Sequence, residues 1–304
     1  MKIYLLIIAA LIAISCVPSN DPHRPPLKEE AEVELEINLP DYKTDLPYTA
    51  GYRYSSYGAQ HLNVQQNEYW TTVGKEMASK FDGSAPSSIW ILGTLQGDGI
   101  YLNFPAETNH SLIKTASTDF NEAIFDEFDK NGFKIWLQIE PGNAPVEELI
   151  KVILEKYKHH SCIIGFGVDV EWYQSVDKPD GVAISDKLAK QWLSLIRSYN
   201  PEYRLFLKHW LKEKMPPTFR EGLVFIDDSQ GVSSKQVLLD EFKEWGEYFS
   251  GGQVGFQYGY DSDRAWWGNM DDPAKEFGQA LKDEIPNTIG LYWVDFTLET
   301  VLKP

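Results

Sequence analysis

Residues Ile163–Tyr173 read IIGFGVDVEWY, an apolar run that ends in two carboxylates, Asp169 and Glu171. Read as a buried strand over Ile163–Glu171, the run alternates its side chains. Gly165, Gly167, Asp169 and Glu171 then share one face, and Phe166, Val168, Val170 and Trp172 the other. Two acids side by side at a strand end repel, which pushes one of them toward its protonated form. A protonated acid beside an ionised one is the pairing that glycosidic bond cleavage uses.

Working outward, seven more segments have the same strand character: Ala50–Ser55, Ser88–Leu92, Lys134–Glu140, Arg204–His209, Leu223–Asp227, Val254–Tyr260 and Thr288–Asp295. They are short runs, rich in β-branched and aromatic residues and bounded by Gly, Pro, Asn or Asp. Amphipathic stretches lie between them, at Asn67–Lys80, Thr118–Asn131, Pro145–His160, Ser185–Asn200, Ser233–Phe249 and Asp272–Ile285. Thr118 and Ser185 offer caps at helix starts, and Asn131-Gly132, Asn200-Pro201 and Ile285-Pro286 offer stops. Trp210–Glu221 holds Pro216-Pro217 and reads as a vestigial helix. Eight strands alternating with about seven helices predict an α/β fold, a (β/α)8 TIM barrel spanning residues 47–304. The competing doubly wound sheet lacks its Gly-rich fingerprint, because Gly51–Gly58 is aromatic and wrongly spaced.

The residues before the barrel have another character. Lys2, the apolar run Ile3–Ile14 and Ser15 read as a signal peptide over residues 1–15. Cys16 after a small residue resembles the lipobox of exported lipoproteins, so it is the expected lipidation site; simple secretion and a retained anchor are the alternatives. Residues 16–46 are rich in Pro and acid and read as an extended tether. The expected location is therefore extracytoplasmic and membrane-anchored, with the membrane reached only through lipid. Cys162 is the one cysteine left in the barrel, expected as a buried filler. The chain has 28 Lys and Arg against 45 Asp and Glu, a net charge of −17, which argues against nucleic acid as a partner. A monomer is expected.

A barrel of this kind gathers its chemistry where strands end. The strand ends supply Gln138 and Glu140, Asp169 and Glu171, Lys208 and His209, Asp227 and Asp228, Gln257 and Tyr258, and Trp293 and Asp295; Arg53 and several tyrosines end the first strand. Acids and amides hydrogen-bond sugar hydroxyls, and aromatic faces stack on sugar rings, so the mixture suits a polysaccharide or oligosaccharide. Glu171, Asp169 and Glu140 are the candidate catalytic residues. Gln138, Asp227, Gln257, Tyr258, Trp293, Asp295 and His209 are the candidate substrate contacts. No cofactor or metal is expected: His159-His160 lies at the rim opposite the acids, and Asp261, Asp263, Asp271 and Asp272 match no calcium loop. No serine stands on a nucleophile elbow.

Gly167-Val-Asp169-Val-Glu171-Trp-Tyr resembles the fourth-strand signature of the chitinase-like glycoside hydrolases, glycosidase family 18, whose pattern D-x-x-D-x-D-x-E ends in the D-x-E found here. The resemblance implies a TIM barrel in which Glu171 is the general acid and Asp169 orients a substrate acetamido group acting as internal nucleophile. It places Trp293 at the close of the eighth strand and Tyr258 as a hand on the acetamido group. The two earlier acidic positions are Ile164 and Gly167 here, and the close match covers about ten residues. The expected function is an exported, lipid-anchored glycoside hydrolase. The alternatives are a surface lipoprotein of the same fold that binds carbohydrate without cleaving it, and a different enzyme class on the same scaffold, such as a metal-assisted hydrolase.

Overall fold

A computed structural model describes residues 39, 45–62 and 67–302 of the chain. The signal peptide and Cys16 lie outside the described residues, as does the tether apart from Leu39, Asp45 and Leu46. No described helix is long and apolar enough to cross a membrane.

Eight parallel strands close on themselves. In barrel order they are β1 (Thr49–Tyr54), β2 (Ala85–Gln96), β5 (Lys134–Ile139), β6 (Ile163–Asp169), β7 (Arg204–Lys208), β8 (Leu223–Asp227), β9 (Gln253–Tyr258) and β10 (Thr288–Val294), and β10 pairs back to β1. The eight expected strands are these eight, so the fold is the (β/α)8 barrel. The outer layer holds α1 (Asn67–Ser79), α2 (Glu122–Lys130), α3 (Val146–Tyr157), α4 (Asp186–Tyr199), α5 (Lys235–Tyr248), the single turn α6 (Arg264–Trp267), α7 (Pro273–Glu284) and the single turn α8 (Leu298–Val301). Between β7 and β8 only a 3-10 turn, Lys212–Lys214, interrupts the loop, as Pro216-Pro217 predicted.

Local chemistry sets the helix starts. The Ser185 and Ser234 side chains accept from the backbone N–H groups of Leu188 and Val237, and Asp272 accepts from Lys275 with Pro273 opening α7. At α2 the expected Thr118 cap is replaced by Asp119, whose Oδ1 accepts from the N–H groups of Asn121 and Glu122. Cys162 is buried in the core, as expected.

Two layers of core result. The outer one fills the space between sheet and helices. The inner one plugs the lumen with Ile89, Trp136, Phe206, Val224, Ile226 and Tyr292. The Tyr292 hydroxyl accepts from Trp136 Nε1 at 3.0 Å and lies 3.0 Å from Thr49 Oγ1, so the plug satisfies its own polar atoms. Room for it comes from β6. A Cβ on Gly165 would sit 2.4 Å from the Trp136 ring, and one on Gly167 would sit 2.0 Å from the Phe206 ring. The glycine face of IIGFGVD is therefore the lumen face, and Phe166 and Val168 pack against the helices.

One excursion is absent from the sequence reading. β2 runs past the barrel and turns through Gly97 (φ 59°) into an antiparallel partner, β3 (Gly99–Leu102), which β4 (Ile113–Thr115) joins in parallel. Strands of four and three residues leave too little alternation to read. This flap braces the loop after β5: Glu140 N–H donates to Gly93 O at 2.9 Å, and Asn143 N–H to Asp98 O at 2.9 Å.

Candidate active site

The C-terminal mouth of the barrel collects its charge around one lysine. Lys208 follows Phe206 on the lumen face of β7 and pairs in register with Asp169 on β6. Its ammonium lies 3.0 Å from Asp169 Oδ2 and 4.0 Å from Glu171 Oε2, and it donates to Asp228 Oδ2. Gln138 Nε2 donates to the same Asp169 oxygen at 3.3 Å. Asp169 and Lys208 are almost wholly buried, whereas the Glu171 side chain keeps 28 % of its exposure.

Electrostatics follow from the count of one cation against three acids. Burial works against the Lys208 ammonium, but Asp169 and Asp228 outweigh it and hold the lysine charged well above its ordinary range. One positive charge does not balance three carboxylates, and their mutual repulsion works against ionising all of them together. Burial lifts Glu171 above the usual glutamate range; Lys208 opposes the rise, and the charges of Asp228 and Glu140 add to it. Burial lifts Asp169 as well, against the pull of Lys208.

Glu140 forms the second acidic position. Tyr57 donates its hydroxyl to Glu140 Oε1 at 2.6 Å, and the N–H of Leu95 in the flap donates to Oε2 at 3.3 Å. Burial nonetheless raises its pKa, with Tyr57 and Arg53 working in the other direction. Arg53 Nη1 donates to the Tyr57 hydroxyl at 3.2 Å, and its guanidinium lies over the Phe296 ring, 4.6 Å from the centroid. Tyr57 and Phe296 both expose part of their rings, so the rim carries aromatic surface above the acids. Several buried polar atoms here have no hydrogen-bond partner among the described residues: Gln138 Oε1, Asp169 Oδ1, Asp228 Oδ1, Gln257 Nε2 and Arg53 Nε. Such atoms are costly unless water or a ligand meets them.

The mouth thus brings together Glu171, Asp169, Glu140, Gln138 and Gln257 from the expected set. Glu171 arrives by a different route from the one read in the sequence. β6 stops at Asp169 and the chain tightens into a 3-10 turn over Val170–Trp172, so Glu171 swings in from the turn rather than extending the strand.

Other expected contacts face away. Tyr258 donates to Ala274 O at 3.0 Å and packs on Phe277, behind the β9 wall. Trp293 donates to Thr297 Oγ1 at 2.8 Å and lies edge-on to Tyr258 and Trp267 in the outer core. Asp227 has the parity of Leu223 and Phe225 and accepts from Ser229 N–H at 2.8 Å; its neighbour Asp228 is the one that turns inward. His209 accepts from Leu211 N–H at Nδ1, 2.8 Å, which leaves Nε2–H to donate to Asp180 O at 3.0 Å, and burial lowers its pKa. Asp295 is a latch across the barrel seam: its Oδ2 accepts from Ser55 N and Oγ at 2.6 and 2.9 Å, and its Oδ1 faces Arg53 at 3.4 Å. In the first four cases strand parity or loop bonding, not distance along the chain, removes the side chain from the lumen, whereas Asp295 stays beside Arg53 at the seam.

A cleft of about 620 Å³ opens elsewhere, between α6, the loop before α7 and α8. Among the described residues its lining holds a single carboxylate, Asp271, against the paired acids of the mouth. No protein-family model matches the chain, and no curated protein matches it in sequence.

Proposed function

We propose that the protein is a glycoside hydrolase that works at the barrel mouth with Glu171 as proton donor. The observation that carries this reading is the crowding of Asp169, Glu171 and Asp228 around Lys208, with Glu171 the member that reaches solvent. A carboxyl lifted by burial and by neighbouring acids holds its proton at the pH where a leaving oxygen needs it. Asp169, held by Lys208 and Gln138, keeps one oxygen free to meet substrate. The resemblance to the chitinase-like hydrolases makes sugars with an acetamido group the first to try. Glu140, shaped by Tyr57 and the flap, is the second carboxylate if water attacks directly. Tyr57 and Phe296 supply the aromatic sugar contact in place of Trp293. By the same reading the protein is exported and held to a membrane by lipid on Cys16.

Glu171→Gln should cut turnover of aryl-glycosides or oligosaccharides by about 10²–10⁴-fold, with the circular dichroism spectrum unchanged. The raised pKa of Glu171 places the alkaline limb of the wild-type pH profile above the usual glutamate range, with activity falling as pH rises through it. Turnover at the wild-type rate in Glu171→Gln refutes the assignment. Lys208 also favours a second reading, because an ammonium 4.0 Å from Glu171 resists protonation of that acid. Sugar binding without any release of reducing ends, unchanged by Glu171→Gln, identifies a carbohydrate-binding protein instead.

A further inference from the structure

Far from the mouth, two adjacent histidines close against the first turn of α2. His159 and His160 lie between α3 and β6, at the end of β6 remote from Asp169, roughly 20 Å away for a strand of this length. His159 Nε2 is 2.8 Å from Glu122 Oε1, and His160 Nε2 is 3.4 Å from the same oxygen. The ligand atoms of all three residues fall within 4.8 Å of one another.

The state of His160 is the telling feature. Its side chain is 1 % exposed, and its Nδ1 lies 2.8 Å from Asp129 Oδ2. A carboxylate only accepts, so Nδ1 carries the hydrogen, and in the neutral ring Nε2 is the nitrogen left with a lone pair. That Nε2 is buried without a hydrogen-bond partner among the described residues, and it lies 3.4 Å from Glu122 Oε1. A histidine whose other ring nitrogen is fixed by a carboxylate is the arrangement that orients metal ligands. Asp129 is itself pinned by the Cys162 N–H at 2.6 Å and Ser161 Oγ at 3.0 Å, so the ring is held rigidly.

We propose that Glu122, His159 and His160 bind a divalent transition-metal ion of the zinc class. Two imidazoles and a carboxylate are a donor set for such ions, and three protein ligands leave the fourth position to water. With metal–ligand bonds of about 2.0–2.1 Å, tetrahedral neighbours stand about 3.3 Å apart. The 3.4 Å between His160 Nε2 and Glu122 Oε1 already has that spacing. His159 is half exposed and has the freedom to open its 2.8 Å contact. Lys156 approaches the other Glu122 oxygen, Oε2, at 3.4 Å, so it does not occupy the space between the histidines. The ion would tie α2 to the loop that feeds β6.

The test uses the full chain, stripped with chelator and titrated with Zn²⁺ by calorimetry and with Co²⁺ by absorption. One equivalent is expected to bind, with the visible bands of tetrahedral cobalt and a rise in melting temperature that chelator reverses. His159→Ala and Glu122→Gln, both at partly exposed positions, should each weaken binding more than about 10-fold with the circular dichroism spectrum unchanged. Absence of saturable 1:1 binding overturns the proposal, as does 1:1 binding unaltered in both variants, which would place the ion on other residues.

Discussion

Replacing Lys208 by Met takes the one cation that the described residues supply out of a cluster of three acids while keeping most of the side-chain volume. Asp169 loses its partner at 3.0 Å, and Asp228 loses its donor. Breaking a buried pair in this way costs about 3–5 kcal/mol at neutral pH, because a charge is left uncompensated. At ~2–4 °C per kcal/mol for a domain of this size, the melting temperature should fall by roughly 6–20 °C. The loss has a pH signature. Lys208 is the cause that pulls Asp169 and Glu171 down, so without it both rise further. A carboxyl with a raised folded pKa holds its proton more tightly in the folded state. It contributes most to stability at low pH, and that contribution is lost as pH rises through the folded pKa. The deficit of Lys208→Met should therefore be largest at pH 8 and shrink toward the ordinary carboxylate range near ~4. Urea unfolding followed by tryptophan fluorescence at both pH values measures it. An equal deficit at the two pH values would mean that only the aliphatic stem mattered, and the charge argument would fail.

Two further predictions separate lumen from wall. Gly167→Ala places a methyl 2.0 Å from the Phe206 ring and should cost ~1–3 kcal/mol or more in chemical denaturation, with Phe206→Leu recovering part of it in the double variant; an undiminished stability would show that the plug is loosely packed. Trp293→Phe should leave KM for sugar unchanged and lose ~1 kcal/mol of stability with the Thr297 hydrogen bond, whereas Phe296→Ala should raise KM about 2- to 10-fold, as ~0.5–1.5 kcal/mol of stacking implies, and leave the melting temperature nearly alone. The reverse pattern would return Trp293 to the binding surface.

The sequence declared the barrel but hid which side of each strand faces in. In a parallel barrel both faces of a strand are buried, so polarity does not alternate and parity has no label. On β6 the label existed, since Gly165 and Gly167 mark the face that must admit Trp136 and Phe206, and Asp169 follows in step. On β7 no such mark distinguishes Lys208 from His209, nor on β8 Asp228 from Asp227, because each pair is polar and adjacent. The missed residues are therefore neighbours of the chosen ones, displaced by one position. Phe206 would have settled β7: an aromatic that fits the Gly167 gap must point inward, and Lys208 shares its face. The same step works at β10, where Tyr292 in the plug forces Trp293 outward. Glycine gaps and the aromatics that fill them thus fix a lumen register that hydropathy cannot, and once one strand is set, the pairing of β6 with β7 carries the assignment from Asp169 to Lys208. The flap and the Tyr57–Glu140 bond escape this reasoning, because loop geometry rather than strand parity brings them to the mouth.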